Sequence, residues 1–161
     1  MEEVKKSGKA KSIGVSNFQR PHLEAILNGA EIIPAVNQIE FHPYLQRSND
    51  YVPWMKEQGI QVSAFKGLAP LTVAKGGPLD QPLADIARKH DTETNSVLLK
   101  WHMNQNIVPI TTTSKEERMK QYLRALQLNL SAKEQEEITQ IGLKHHFRWW
   151  GNQYFDADDR S

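Results

Sequence analysis

Four short runs rich in β-branched or aromatic residues recur along the chain, each bounded by polar or Gly/Pro positions: Ser12 to Val15, Ala35 to Ile39, Gln61 to Phe65, and Ile107 to Ile110. Each reads as a short buried strand. Between them apolar residues return at helical spacing: Leu23, Ile26, Leu27 and Ala30, then Leu83, Ile86, Ala87 and His90, then Met119, Tyr122, Leu123 and Leu126. Each set offers one apolar stripe to a sheet. Thr94 to Gln105, with Val97, Leu98 and Trp101, adds a further helix to the third connection. Pro21 and Pro82 suit first helical turns and Gly59 a helix stop. Ser114-Lys-Glu-Glu117 and Ser131-Ala-Lys-Glu134 are capping-box patterns that predict helix starts at 114 and 131. The predicted order is β-α-β-α-β-α-α-β-α-α.

Strands joined by helical crossovers imply a parallel sheet, because parallel neighbours need a dozen or more residues of connection. Four such units are too few to close a (β/α)₈ barrel, which typically takes about 250 residues. The chain has 161. An open four-stranded sheet with all its helices wound in one direction leaves one face bare, so the pattern predicts half of a larger architecture.

Composition narrows the function classes. Lys and Arg number 20 against 19 Asp and Glu, leaving +1, which argues against a binder that lives on phosphate neutralisation of nucleic acid. Apolar residues at 39% are enough for a core. Cysteine is absent, which removes disulfides, thiolate catalysis and cysteine-ligated metal. No stretch approaches the ~18 uninterrupted apolar residues of a spanning helix, and the first residues lack a signal peptide's apolar middle. A soluble cytoplasmic protein is expected. His145 and His146 are adjacent and cannot share a helical face, so no metal site is expected there. Lys5, Lys6, Lys9 and Lys11 lie beside Glu2 and Glu3 and read as a solvated helix end. There is no Gly-x-Gly-x-x-Gly and no Walker lysine loop.

Two segments carry a resemblance. Lys11-Ser-Ile-Gly-Val-Ser-Asn-Phe18 and Val36-Asn-Gln-Ile-Glu-Phe-His-Pro-Tyr44 closely resemble signatures of the aldo-keto reductase family, in the right order. Val62-Ser-Ala-Phe-Lys-Gly-Leu68 is similar to a degraded form of the family's seventh-strand motif, and Ile107 to Gln121 resembles its eighth strand and cofactor-phosphate segment. The resemblance implies half of a TIM-type (β/α)₈ barrel, strands five to eight with their helices. It also implies a single partial oxidoreductase domain over 1–161 that ends in a carboxyl-terminal loop over 143–161. The family binds its dinucleotide without a Rossmann fold and uses NADPH, less often NADH, to reduce aldehydes and ketones. Its catalytic Asp, Tyr, Lys and His come from the first half of the barrel, and nothing in this chain matches their motifs. No catalytic residue is assigned. Met-Glu-Glu-Val at the start resembles the middle of the fourth barrel helix rather than a natural beginning.

By resemblance this half contributes the cofactor site. Ser16, Asn17 and Gln38 are expected to hydrogen-bond the nicotinamide carboxamide, since amide and hydroxyl side chains donate and accept together. Phe65 stands where relatives have a stacking Tyr, and its aromatic face suffices to hold the ring. Leu68 is placed on the same cofactor. Arg118 matches the ligand of the adenosine 2′-phosphate and Gln121 an adenine contact, whereas Thr112 stands where many relatives have Lys and Tyr122 where they have Asn. Thr111, Thr112, Thr113 and Ser114 offer hydroxyls, and the helix expected at Ser114 offers N–H groups to an anion. NADP is the expected cofactor. Lys75-Gly-Gly-Pro78 matches the region where the family covers the pyrophosphate, and reads equally as a surface turn. Trp149 and Trp150 are expected to wall the substrate pocket.

Other readings stay open. His42, Tyr44 and Lys66 follow strand ends and transfer protons elsewhere in chemistry, but the His-Pro-Tyr turn occurs in relatives that already carry a separate tetrad and reads as a structural fixture. A non-catalytic half-barrel acting as an assembly or nucleotide-binding module is the alternative function. Its motive is the unpaired edges of the outer strands, which predict a homo-oligomer or pairing with an amino-terminal half.

Overall fold

The computed structural model describes residues 1–151 and 153–161; Asn152, within the expected carboxyl-terminal loop, lies outside them. After a short helix α1 (Glu2–Lys6), the chain runs β1 (Gly14–Ser16), α2 (Arg20–Leu27), β2 (Val36–Glu40), α3 (Tyr51–Glu57) and β3 (Gln61–Phe65). A 3₁₀ turn (Ala69–Leu71) leads to α4 (Asp80–Lys89), α5 (Thr94–Met103), β4 (Val108–Pro109), α6 (Glu116–Arg124) and α7 (Ala132–Leu143). The strands form one parallel sheet in the order β1-β2-β3-β4. Leu143 still belongs to α7, so the terminal loop begins one residue later than expected. No helix among the described residues is long and apolar enough to cross a membrane.

The register sets Ser16 beside Gln38, Gln38 beside Ser63, and Glu40 beside Phe65. Alternation puts these on one face and Asn37, Ile39, Val62 and Ala64 on the other. The second set is fully buried, and Ile39, Val62 and Ala64 join Leu23, Met55, Leu83, Leu98 and Trp101 in the core. On the first face Gly14, Ser16 and Val108 are exposed, Val36, Gln38 and Phe65 are half-buried, and Glu40 and Ser63 are covered. The helices therefore pack on one side of the sheet and leave the other side largely open.

Two boundaries differ from the sequence reading in an instructive way. The strand expected at Ser12 starts at Gly14, and the one expected over 107–110 shrinks to two residues, because an outer strand is defined by a single neighbour. The helix expected at Ser114 starts at Glu116, with Lys115 in extended conformation and its N–H donated to Thr113 Oγ1 at 3.1 Å. The box at Ser131 does form. Glu134 accepts from the Ser131 N–H and hydroxyl, both at 2.8 Å, while its other oxygen takes Lys89 Nζ at 2.7 Å and His90 Nε2 at 2.9 Å. Burial pushes this carboxyl up, but Lys89, Ser131 and His90 outweigh it and hold the group at about 2.

The His-Pro-Tyr turn fastens three elements. Tyr44 Oη accepts the Leu79 N–H at 3.0 Å, at the start of α4. A Cβ at Gly142 would stand 2.4 Å from the Pro43 carbonyl oxygen, so α7 lies against the turn only because glycine is there. Phe41 stacks on Trp101, with centroids 5.6 Å apart, which carries the turn onto α5.

Candidate active site

The open face and the carboxyl ends of the strands meet at three places. At the end of β1, Ser16 Oγ donates to the Gln38 carbonyl at 3.1 Å and the Asn17 N–H to the same oxygen at 2.8 Å. Asn17 takes a left-handed φ of 56°, a conformation its short amide tolerates. Its Nδ2 donates to Ser16 Oγ at 3.2 Å, while Oδ1 is buried without a partner. The next carbonyl, Phe18 O, is held by Asn37 Nδ2 at 2.9 Å and by the Tyr51 hydroxyl. This fixes the turn that presents Ser16 and Asn17.

At the ends of β3 and β4 lies a cleft of about 380 Å³, lined by Phe65, Lys66, Leu68, Thr72, Val73, Ile110, Thr111, Thr112, Arg118 and Tyr122. It carries two cations, three hydroxyl-bearing threonines and no carboxylate. A second cleft of about 420 Å³ shares Leu68, Thr72, Arg118 and Tyr122 with it and continues to Lys75, Thr94 and Asn95. Together they make a groove that starts at an aromatic face, passes hydroxyls, and reaches Arg118 from both sides. Gln121 borders this end through its side chain, which accepts from Asn95 Nδ2 at 3.1 Å.

The third feature is a strap, 144–151 and 153–161, drawn across the carboxyl end of the sheet. Glu40, on the open face of β2, is fully buried beneath it. One carboxylate oxygen accepts the Trp149 N–H at 2.8 Å and His42 Nε2 at 3.0 Å; the other accepts the Trp150 N–H at 2.8 Å. Burial alone would raise the Glu40 carboxyl, but His42 and the two N–H groups leave it below its ordinary range. His42 is itself buried, and burial pushes its imidazole down despite Glu40. A neutral ring donating from Nε2 follows. Arg148 Nη2 donates to the Asp159 and Ser161 carbonyls at 3.0 and 2.9 Å, and Arg47 donates to the Ser161 carbonyl as well. Lys66 Nζ stands 3.8 Å over the Trp149 ring. Trp150 borders an open hollow of about 540 Å³ with Ser16, Asn17, Phe18 and His22.

The sequence-derived residues thus divide. Phe65, Leu68, Thr112 and Arg118 share one cleft, and Ser16, Asn17 and Trp150 share the hollow at the other edge. Gln38 lies between them on the open face, half-buried. Thr113 spends its hydroxyl on the Lys115 N–H, and Ser114 is exposed outside the cleft lining. His42 and Tyr44 are fully buried and engaged in the turn. Sequence reasoning missed Glu40 as a clamp, Lys66 as a cleft cation and Asn95 as the partner of Gln121. The one available signal was a carboxylate at the end of β2, two residues before a histidine.

Comparison with known proteins is consistent along the chain. The family model described as Aldo/keto reductase family matches residues 1–142. An NAD/NADP-dependent indole-3-acetaldehyde reductase of Schizosaccharomyces pombe is 37% identical over 149 residues, covering 92% of this chain and 52% of that protein. An NADPH-dependent alpha-keto amide reductase of Saccharomyces cerevisiae is 37% identical over 150 residues, 90% of this chain and 48% of that protein. The crystal structure of an aldo/keto reductase from Brucella melitensis superposes with a TM-score of 0.76 at 28% identity, covering 87% of this chain and 52% of that one. The chain spans about half the length of the curated relatives it matches.

Proposed function

The chain belongs to the aldo/keto reductase family, and from that premise we propose that it is the cofactor-holding carboxyl-terminal half of an NADP-dependent carbonyl reductase barrel. The observation that carries this reading is the groove from Phe65 to Arg118, cationic and hydroxyl-lined, with no carboxylate to repel a phosphate. The fit can be tested on the residues themselves. The unpartnered Asn17 Oδ1 needs a donor, which a carboxamide N–H supplies. Ser16 and Gln38 stand beside it with groups of both kinds. Phe65 offers a ring face, Leu68 an apolar floor, Thr112 a hydroxyl and Arg118 the charge for a 2′-phosphate. Thr113 and Ser114 support the turn before α6, and Gln121 with Asn95 borders the adenine end. When bound, the dinucleotide supplies hydride to a carbonyl carbon. This chain's residues hold and orient it, and Trp149 and Trp150 wall the approach of the carbonyl compound. The proton for the carbonyl oxygen is expected from outside this chain.

Arg118→Ala is the direct test. Charged hydrogen bonds to phosphate contribute about 1.5–3 kcal/mol, so calorimetric titration is expected to show NADPH bound about ten- to a hundredfold more weakly. NADH affinity should hold. Equal NADPH affinity in variant and parent would dismiss the assignment.

A second reading rests on a different observation. Val108 and Ile110 are 50% and 43% exposed beside the free edge of β4, and α6 buries no residue, leaving Met119 and Leu123 in solvent at helical spacing, with Leu126 exposed in the turn that follows. Apolar surface next to an unpaired strand invites a partner, either a second copy or a chain bearing the first four strands. Light scattering is expected to give a dimer or larger for the 161-residue chain; a monodisperse monomer would remove this reading.

A further inference from the structure

Lys66 is the least explained charge in the molecule. It follows the last residue of β3 and takes a left-handed φ of 56°, which is uncommon outside glycine. The turn runs close against α5: a Cβ at the next residue, Gly67, would stand 3.0 Å from the His102 ring. The conformation swings the Lys66 side chain away from the sheet and over Trp149. Its ammonium meets only that indole face, 3.8 Å away. No carboxylate among the described residues pairs with it, although six other lysines and arginines are paired. It also lines the cleft between Phe65 and Arg118, where every other lining residue except Arg118 is neutral.

A cation held on a π face at the wall of a carboxylate-free cleft is available to an anion, because an exposed cation–π contact is weak. Charge-assisted bonds to phosphate are worth more. Resting on the dinucleotide reading above, we infer that Lys66 is the cation for the pyrophosphate, exchanging the Trp149 ring for phosphate oxygens when the cleft fills. Its position decides which phosphate. Lys66 adjoins Phe65, the ring end of the groove, whereas Arg118 borders both clefts and stands toward Asn95 and Lys75. One cation therefore serves the phosphates common to both dinucleotides, and the other the phosphate that NADPH alone carries. The exchange also ties cofactor occupancy to the strap, since Trp149 loses its cation as the cleft is filled.

Calorimetric titration of the 161-residue chain with NADPH, NADH and adenosine 2′-monophosphate tests this. Lys66→Met is expected to weaken NADPH and NADH alike by about tenfold and to leave adenosine 2′-monophosphate, which has no pyrophosphate oxygen, unchanged. Lys66→Arg should restore both dinucleotides. Lys66→Met with parental affinity for both dinucleotides overturns the inference while the cofactor reading stands. A loss confined to NADPH and the 2′-monophosphate places Lys66 at the far phosphate and overturns it too. Parent protein that binds neither dinucleotide overturns the cofactor reading, and the inference with it.

Discussion

Glu40→Ala is expected to lower the melting temperature by about 6–12 °C and to remove exchange protection from the Trp149 and Trp150 amides. The carboxylate is fully buried and its partners lie 109 and 110 residues further along the chain, so no local structure substitutes for it. Removing one member of a buried charged network costs about 3–5 kcal/mol. Here the strap can lift into water and recover part of that, which brings the expectation to about 3 kcal/mol, at about 2–4 °C per kcal/mol for a chain of this size. Hydrogen exchange separates the two components, since Val62 and Leu98 amides should stay protected while the strap's open. Unchanged protection at Trp149 and Trp150 would show that the strap is held by its arginines alone.

The same clamp carries a pH dependence of definite sign. Glu40 has its carboxyl below the ordinary value of 4.5, so its stabilisation is present above that value and is lost as pH falls through the depressed one. His42 is held below its ordinary 6.5 by burial, so the unfolded chain takes up a proton first. Both act in one direction. Stability should begin to fall below about pH 6.5, and Glu40→Ala should flatten the part of that slope below about pH 4.5.

The sheet was legible because its inner strands are short runs carrying Val36, Ile39, Val62, Ala64 and Phe65 between turn residues, and burial of one face preserves the alternation. The two capping-box patterns show where such signals stop. Ser114 and Ser131 head the same spacing, yet only the second closes, because Glu134 is covered and drawn back toward Lys89 and His90. Glu117 is exposed with no such anchor. Phe65, Thr112 and Arg118 were expected at the site because they align with positions of the family's motifs, and they line one cleft. Glu40 and Lys66 were not, because their roles depend on a strap that arrives from the far end of the chain. The open face followed from counting layers: helices of one crossover hand cover one side of a four-stranded sheet.

The largest expected effect is on turnover. Reduction of a carbonyl needs a proton delivered to its oxygen, and a positioned acid contributes about 10²–10⁴-fold. Around the carboxyl ends of the strands, the described groups able to carry that proton include His22, His42, Tyr44, Tyr51, Lys66 and Tyr122. His42 is buried against Glu40. Tyr44 is buried and raised by that burial, with its oxygen taken by the Leu79 N–H. Tyr51 is pushed up to about 12 by burial and donates to the Phe18 carbonyl. His22 borders the hollow at β1 and accepts the Gln19 N–H at 3.2 Å. Lys66 and Tyr122 line the cleft; Lys66 lies on Trp149, and Tyr122 borders both clefts with Arg118, the residue assigned to the 2′-phosphate. The 161-residue chain should therefore bind NADPH yet oxidise it with glyceraldehyde at least about a hundredfold below ordinary turnover of 1–10³ s⁻¹. On the half-barrel reading proposed above, adding as a separate chain the portion of a relative that this chain does not cover should restore the rate, because the proton donor is expected there. Ordinary rates from the chain alone would mean that one of these groups moves into contact with substrate, and Lys66→Met and Tyr122→Phe, assayed at saturating NADPH, would tell the two cleft groups apart.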